Sequence, residues 1–389
     1  MKKIFPTWCI LFLLFFSTSE LSFSQDSSST RLRISLITCS PGTELYSIFG
    51  HSAIRVIDSN SVSDIVFNYG TFNFDEDFYL KFIRGKLNYY LSAANVNDFL
   101  LEYIATGRGV SEQVLDLSSQ EKASIFNYLL GNIKEENKFY QYDFFYNNCT
   151  TRLRDIVLNA KENKPVLPFV MNNKSSFRDA IHLYLQNGQQ YWSELGIDLL
   201  LGVGCDKIMT AEEQEFLPNN LMNAFDGAEN NRIVKSRIEM YSPSEIKNEK
   251  VWLTPFLLFT LILLLYILFY FIKNKTGLFF LNCFDFLLYF VTGVLGVVFV
   301  CMWFFTDHTM TKNNFNLLWA VPFNVIACFF INSKQKIAKS YFLVYAILNA
   351  LILILWKILP QQLNYSLVPI VIMLGFSAYL NYKKDGKIH

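Results

Sequence analysis

Charge of a single sign is what this sequence lacks most plainly. Its 34 lysines and arginines stand against 33 aspartates and glutamates, a net charge of +1, so no basic surface points to nucleic acid as a partner. Histidine is scarcer: there are four in 389 residues, His51, His182, His308 and the terminal His389, and any imidazole chemistry must be built from these. No cysteine follows the first apolar run at the position where a lipid would be attached, so lipidation of this chain is not expected. What is abundant is apolar: 52% of the residues are hydrophobic and the mean hydropathy is positive. That composition accommodates one globular domain plus a substantial membrane part, and excludes a simple soluble enzyme.

Residues 1–24 carry Lys2 and Lys3, an apolar run from Ile10 to Phe16, and Ser22-Phe23-Ser24 before Gln25, the pattern of a secretory signal peptide. Residues 25–245 read as an exported, self-contained domain. A strand is expected over Arg31 to Thr38, and a second opens at Gly50 and His51 and runs to Asp58. After the turn at Ser59-Asn60-Ser61, a returning strand over Asp64 to Tyr69 completes a β-hairpin. Helices are expected at Asn95 to Ala105, at Ser118 to Asn132 with Ser118 and Glu121 as a capping box, and at Ser175 to Leu185. The rest of 159–238 is polar and less regular.

After Trp252 the composition changes. Five apolar runs, about 252–272, 282–305, 317–332, 341–359 and 366–381, are each near the length that crosses a bilayer, making 252–381 a membrane domain of five helices. Lysines follow the first run (Lys273, Lys275), the third (Lys334, Lys336, Lys339) and the fifth (Lys383, Lys384, Lys387). By the positive-inside rule these ends, and the tail 382–389, face the cytoplasm while the first domain faces the exported side.

Of seven cysteines, Cys9 lies in the signal segment and Cys283, Cys301 and Cys328 in the spans. That leaves Cys39, Cys149 and Cys205, of which Cys39 and Cys205 are a candidate disulfide. Cys149 is the candidate nucleophile. It stands after Asn147 and Asn148, both good N-cap residues, at the head of a stretch with helical spacing of Leu153, Ile156 and Val157. A helix start and the nearby Arg152 and Arg154 favour a thiolate. A buried structural cysteine is the competing reading unless a base is at hand. His51 is the candidate base, with Gly50 leaving room beside its ring. Asn68 is the candidate orienting group, although a one-residue change of register would substitute Tyr69. Among Arg55, Arg84, Arg108, Arg152 and Arg154, Arg152 is the candidate for substrate contact. His308, between the second and third runs, is a candidate at the site mouth.

Three stretches, Tyr46-Ser-Ile-Phe-Gly-His-Ser-Ala-Ile-Arg-Val, Asn68-Tyr-Gly-Thr-Phe-Asn-Phe and Tyr142-Asp-Phe-Phe-Tyr-Asn-Asn-Cys-Thr-Thr-Arg, followed by multiple spans, resemble the Lnb family of Bacteroidota lipoprotein N-acyltransferases. The resemblance extends to Thr306-Asp-His-Thr-Met and Asn314-Phe-Asn-Leu-Leu-Trp. It implies an α+β, permuted papain-like exported domain related to NlpC-type peptidases and lecithin:retinol acyltransferase, in which the histidine strand precedes the cysteine helix. It implies an inner-membrane protein with a periplasmic catalytic domain, a phospholipid acyl donor and a diacylglyceryl-cysteine lipoprotein acceptor, with no cofactor, metal or nucleic acid. Cys149 would be the nucleophile and His51 the base. A thiol peptidase or amidase acting on cell-wall peptide, or a scaffold that only binds, are the alternatives.

Overall fold

The computed structural model describes residues 31–73, 77–242 and 251–383; the signal-peptide segment 1–24 and most of the tail 382–389 lie outside them. Seven antiparallel strands make one sheet in the order β6-β4-β3-β2-β1-β5-β7. They are β1 (Leu32–Cys39), β2 (His51–Asp58), β3 (Ser63–Thr71), β4 (Asn88–Asn95), β5 (Val110–Leu115), β6 (Phe139–Gln141) and β7 (Val234–Tyr241). β1 and β2 sit at its centre and are largely buried, which suits their content of Ile, Leu and Val. The expected hairpin is present, with Asp58 opposite Ser63 and Ile54 opposite Phe67.

Helices cover the sheet. On one side α3 (Ser119–Asn132), α4 (Cys149–Ala160) and α7 (Pro218–Asp226) bury Leu129, Leu153, Val157, Leu221 and Phe225 against Leu36, Ile54 and Phe67. On the other, α2 (Val96–Ala105) packs Phe99 and Tyr103 against Ile37, Ala53 and Val66. The Ser118 and Glu121 capping box forms as expected. The 159–238 stretch is more ordered than its polarity suggests, because α5 (Phe177–Asn187) and α6 (Tyr191–Leu200) share a third cluster around Phe145, Phe177, Phe216 and Met310. The short helix α1 (Phe78–Arg84) connects β3 to β4.

The C-terminal part is helical. Among the described residues three helices are long and apolar enough to cross a membrane, α9 (Lys275–Phe304), α10 (Lys336–Leu355) and the stretch Tyr365–Lys383 that contains α11 (Val368–Lys383). α8 (Pro255–Phe271) is a shorter apolar helix. The third expected span is corrected: 317–332 is not one helix but a chain of short helical turns, Phe315–Leu318, Asn324–Ala327 and Cys328–Phe330. Pro322 interrupts it. It still runs the length of the bundle. At one end Asn314 and Asn316 bond the exported domain at Leu199 and Asp198, and at the other Asn332 bonds Asn282 and Asn381, near the lysine-bearing ends of α9 and α11. Its irregular backbone lies against α9, where an added Cβ on Gly293 would meet the Val325 nitrogen at 2.2 Å and one on Gly296 the Ala320 carbonyl oxygen at 2.1 Å. Non-helical backbone at membrane depth is tolerated where protein buries it.

Candidate active site

Asn148 is the N-cap of α4, and its side-chain oxygen accepts from the Thr150 and Thr151 N–H groups at 2.8 Å. Its amide nitrogen donates to the carbonyls of Phe144 and Phe216, so the cap is fixed from both sides. Asn147, the other expected cap, is used elsewhere: it donates to the Gln141 carbonyl and accepts from Arg152 Nε. Cys149 is thereby held as the first helical residue, with its thiol at the positive end of the dipole.

β2 begins at His51, directly above this helix start. Its Nε2 lies 2.6 Å from Asn68 Oδ1, an amide acceptor that favours the Nε2–H tautomer and leaves Nδ1 for the thiol, with which the imidazole is hydrogen-bonded. In the observed register His51 would face Gly70, and Asn68 lies two residues back on the same face. Tyr69 points the other way into the core, where its hydroxyl bonds Asn132 Oδ1. Gly70 is the glycine that borders both reacting groups: its φ of +95° calls for glycine, and a Cβ there would lie in ordinary contact, 3.7 Å from Cys149 Cβ and 3.9 Å from His51 Cε1. Gly50, at φ +79°, instead avoids the Cys39 carbonyl, which an added Cβ would approach to 2.7 Å.

Burial alone would raise the Cys149 pKa, but the His51 charge and hydrogen bond, the Ser52 backbone N–H and the Thr150 hydroxyl more than offset it and bring the thiol down to about 7. For His51 burial works downward, while the Cys149 charge, its hydrogen bond and Asn68 prevail and raise the imidazole above its ordinary value. The two shifts favour a thiolate–imidazolium pair near neutral pH. Ser52 and Thr150 had no signal in the sequence. They join the site because β2 and α4 cross there: Thr150 Oγ1 is 3.2 Å from Ser52 Oγ and 3.7 Å from the Cys149 sulfur. The aromatic wall of the site is Tyr142 stacked on Tyr89 at 4.2 Å, with Phe72 at 5.2 Å from Tyr89.

The other candidates are placed elsewhere. Arg152 lies over the Tyr140 ring, 3.8 Å from its centroid, and lines a cavity of about 310 Å³ with Asn147, Asp155 and Tyr128 rather than facing the thiol. His308 Nε2 bonds the Ile83 carbonyl at 3.1 Å, so it anchors α1. Arg55 pairs with Asp64 and Glu112, and Arg154 with Asp155. The candidate disulfide is corrected: Cys39 and Cys205 are both free and buried in different clusters, each pushed up to about 12 by burial. Among the described residues His182, Glu194 and Asp198 could converge on a metal ion. The Asp198 carboxylate, however, is taken by the Arg178 guanidinium, His182 and Asn364, which makes this an ion-pair network rather than a vacant ligand set.

Residues 20–173 match the family model described as the Lnb N-terminal periplasmic domain, and residues 247–387 match that described as the Lnb transmembrane domain. No curated protein and no solved structure matches the chain.

Proposed function

This chain belongs to the Lnb family, and we propose that it is a thiol-dependent acyltransferase that moves an acyl chain from a membrane phospholipid to the N-terminal amine of a diacylated lipoprotein. The observation that carries this reading is the Cys149–His51–Asn68 constellation, with its thiol lowered to about 7, on a domain joined to membrane spans. The His51-before-Cys149 order is that of permuted papain-like enzymes. The Cys149 thiolate attacks the ester carbonyl of the donor. A carbon–sulfur bond forms, the ester carbon–oxygen bond breaks, and the leaving alkoxide takes its proton from the His51 imidazolium as lysophospholipid departs. The amine of the diacylglyceryl-cysteine then attacks the thioester, His51 accepts its proton, the amide forms and the thiolate leaves. The Cys149 N–H remains as an oxyanion donor, since the Asn148 side chain takes those of Thr150 and Thr151.

The reading places the protein in the inner membrane with residues 25–245 in the periplasm, the segment 252–381 spanning and the C-terminus in the cytoplasm. Lysines at one end of the bundle support that orientation. Incubation with phospholipid vesicles should add one acyl mass to Cys149, discharged by a diacylated lipopeptide whose amine becomes acylated. Cys149→Ser and His51→Ala should each abolish this at normal abundance, because a nucleophile and its base act as a unit. Cleavage of cell-wall peptide with no acyl mass on Cys149 would establish the peptidase alternative instead.

A further inference from the structure

α1 exposes apolar side chains where a span ends. Leu80 and Ile83, one helical turn apart, are 50% and 55% exposed, so one stripe of the helix is left uncovered. Its C-terminal end is tied to the loop after α9: the Asp307 N–H donates to the Arg84 carbonyl at 2.9 Å, His308 Nε2 bonds the Ile83 carbonyl, and a Cβ on Gly85 would lie 3.0 Å from the His308 nitrogen. Just before that loop, Phe304 and Phe305 are bare and Trp303 stacks on Phe304. α9 has 30 residues, about 45 Å at 1.5 Å per residue, enough to pass the hydrocarbon core and reach the interfacial layer where aromatic belts lie. α1 therefore lies at that same depth. Lys81 and Arg84 in its last turn, and Lys86 beside Asp307, supply the basic rim of an interfacial helix.

The same helix borders the site. It starts shortly after Gly70, which abuts Cys149. Its far end is held by Gln141 Nε2 on the Gly85 carbonyl, and the strand that follows carries Tyr89, stacked on Tyr142. We propose that α1 is a membrane-docking helix whose Leu80 and Ile83 seat in the outer leaflet, so that the Phe72–Tyr89–Tyr142 wall between it and Cys149 receives a lipid chain rising from the bilayer. The seating stands on geometry alone; its effect on acyl entry rests on the acyltransferase reading.

The full chain in vesicles tests both parts. A fluorescent amino acid installed at Leu80 should be quenched by lipids brominated high on their acyl chains and protected from aqueous iodide; the reverse pattern overturns the seating. Leu80→Glu with Ile83→Glu should slow Cys149 acylation from vesicle phospholipid by about tenfold or more, the scale of losing apolar anchors. Acylation by a water-soluble short-chain ester should be unchanged. Equal loss on both donors, or no loss on vesicles, overturns the entry role. If the parent protein is acylated by neither donor, the acyltransferase reading fails while the quenching measurement still decides the seating.

Discussion

The Cys149 sulfur stands between burial, which opposes its ionisation, and a set of donors that favour it. His51 is the largest of those favourable influences, and its own raised pKa depends in part on the Asn68 amide. In the proposed reaction the working pair is thiolate with imidazolium. It is lost on the acid side as the thiol protonates around 7 and on the alkaline side as the imidazolium gives up its proton. Asn68→Ala removes a bond that favours the charged ring, so the His51 pKa falls and the alkaline limb moves to lower pH. The thiolate loses part of its counter-ion, so the acid limb moves up. Turnover should drop by roughly 10- to 100-fold, the 1.5–3 kcal/mol of a hydrogen bond to a charged group, and the pH window should narrow from both sides. The pH profile of iodoacetamide alkylation of Cys149 checks the acid limb without any substrate, and an unchanged profile would assign Asn68 a packing role. Much of this site was legible because its determinants are local: an Asn before a helical period fixes where Cys149 sits, and period-two alternation narrows the partner of His51 to two residues. Ser52 and Thr150 were not legible, since a serine in a strand and a threonine in a helix become neighbours only through the crossing of β2 and α4.

At the scale of elements, hydropathy located the apolar runs but gave the wrong shape to one of them. A window average counts apolar residues. It is blind to Pro322 and to the α9 glycines, Gly293 and Gly296, that face the chain from earlier in the sequence. Gly293 and Gly296 admit the irregular backbone of the third crossing, and buried side chains tie it in: Tyr345 donates to the Trp319 carbonyl, while the Asn324 side chain donates to Thr292 and Tyr345 and accepts from Tyr341. Gly296→Val should therefore be destabilising by about 3 kcal/mol or more, because backbone atoms cannot move aside as a side chain can. Gly131→Ala in α3 is the matched control. Its added Cβ meets nothing within 4 Å, and the change should be neutral or stabilise by up to about 1 kcal/mol through helix propensity. Thermal unfolding of the detergent-solubilised chain separates them, and equal behaviour of the two variants would mean that the close approach to α9 does not hold the third crossing. The strands β4 to β7, which flank the central three with β6 and β7 at the edges, escaped the sequence reading for a related reason. β7 is mostly exposed along its length, so it lacks the alternation that marks a half-buried strand.

Across the whole molecule, the boundary near residue 250 that composition draws so sharply is not a boundary in packing. α6 ends inside the exported domain with carbonyls that have no partner in their own helix, and the membrane part supplies the partners. Asn314 donates to the Leu199 carbonyl at 2.8 Å and Asn316 to that of Asp198 at 3.0 Å. Gln361 donates to the Leu201 carbonyl at 2.9 Å, and the Gly202 N–H donates to that of Met310. Met310 completes the α5–α6 cluster, and Leu195 of α6 is buried in the membrane core. The exported domain is thus capped by the spans, and the expectation that 25–245 is self-contained gives way to that of a domain with an open seam when the spans are removed. Asn316→Leu tests this in the full chain. It withdraws the donor to Asp198 and also the acceptor of Trp319 Nε1–H, leaving buried groups unsatisfied at about 1–3 kcal/mol each. The unfolding temperature in nanodiscs should fall accordingly, while the alkylation profile of Cys149 below that temperature keeps its midpoint, because the seam lies away from the thiol. A protein of residues 25–245 should unfold at a lower temperature still, having lost every one of these partners at once. If Asn316→Leu unfolds with the parent and residues 25–245 match the stability of that domain in the full chain, the seam carries no energy and the two parts are joined only by the linker.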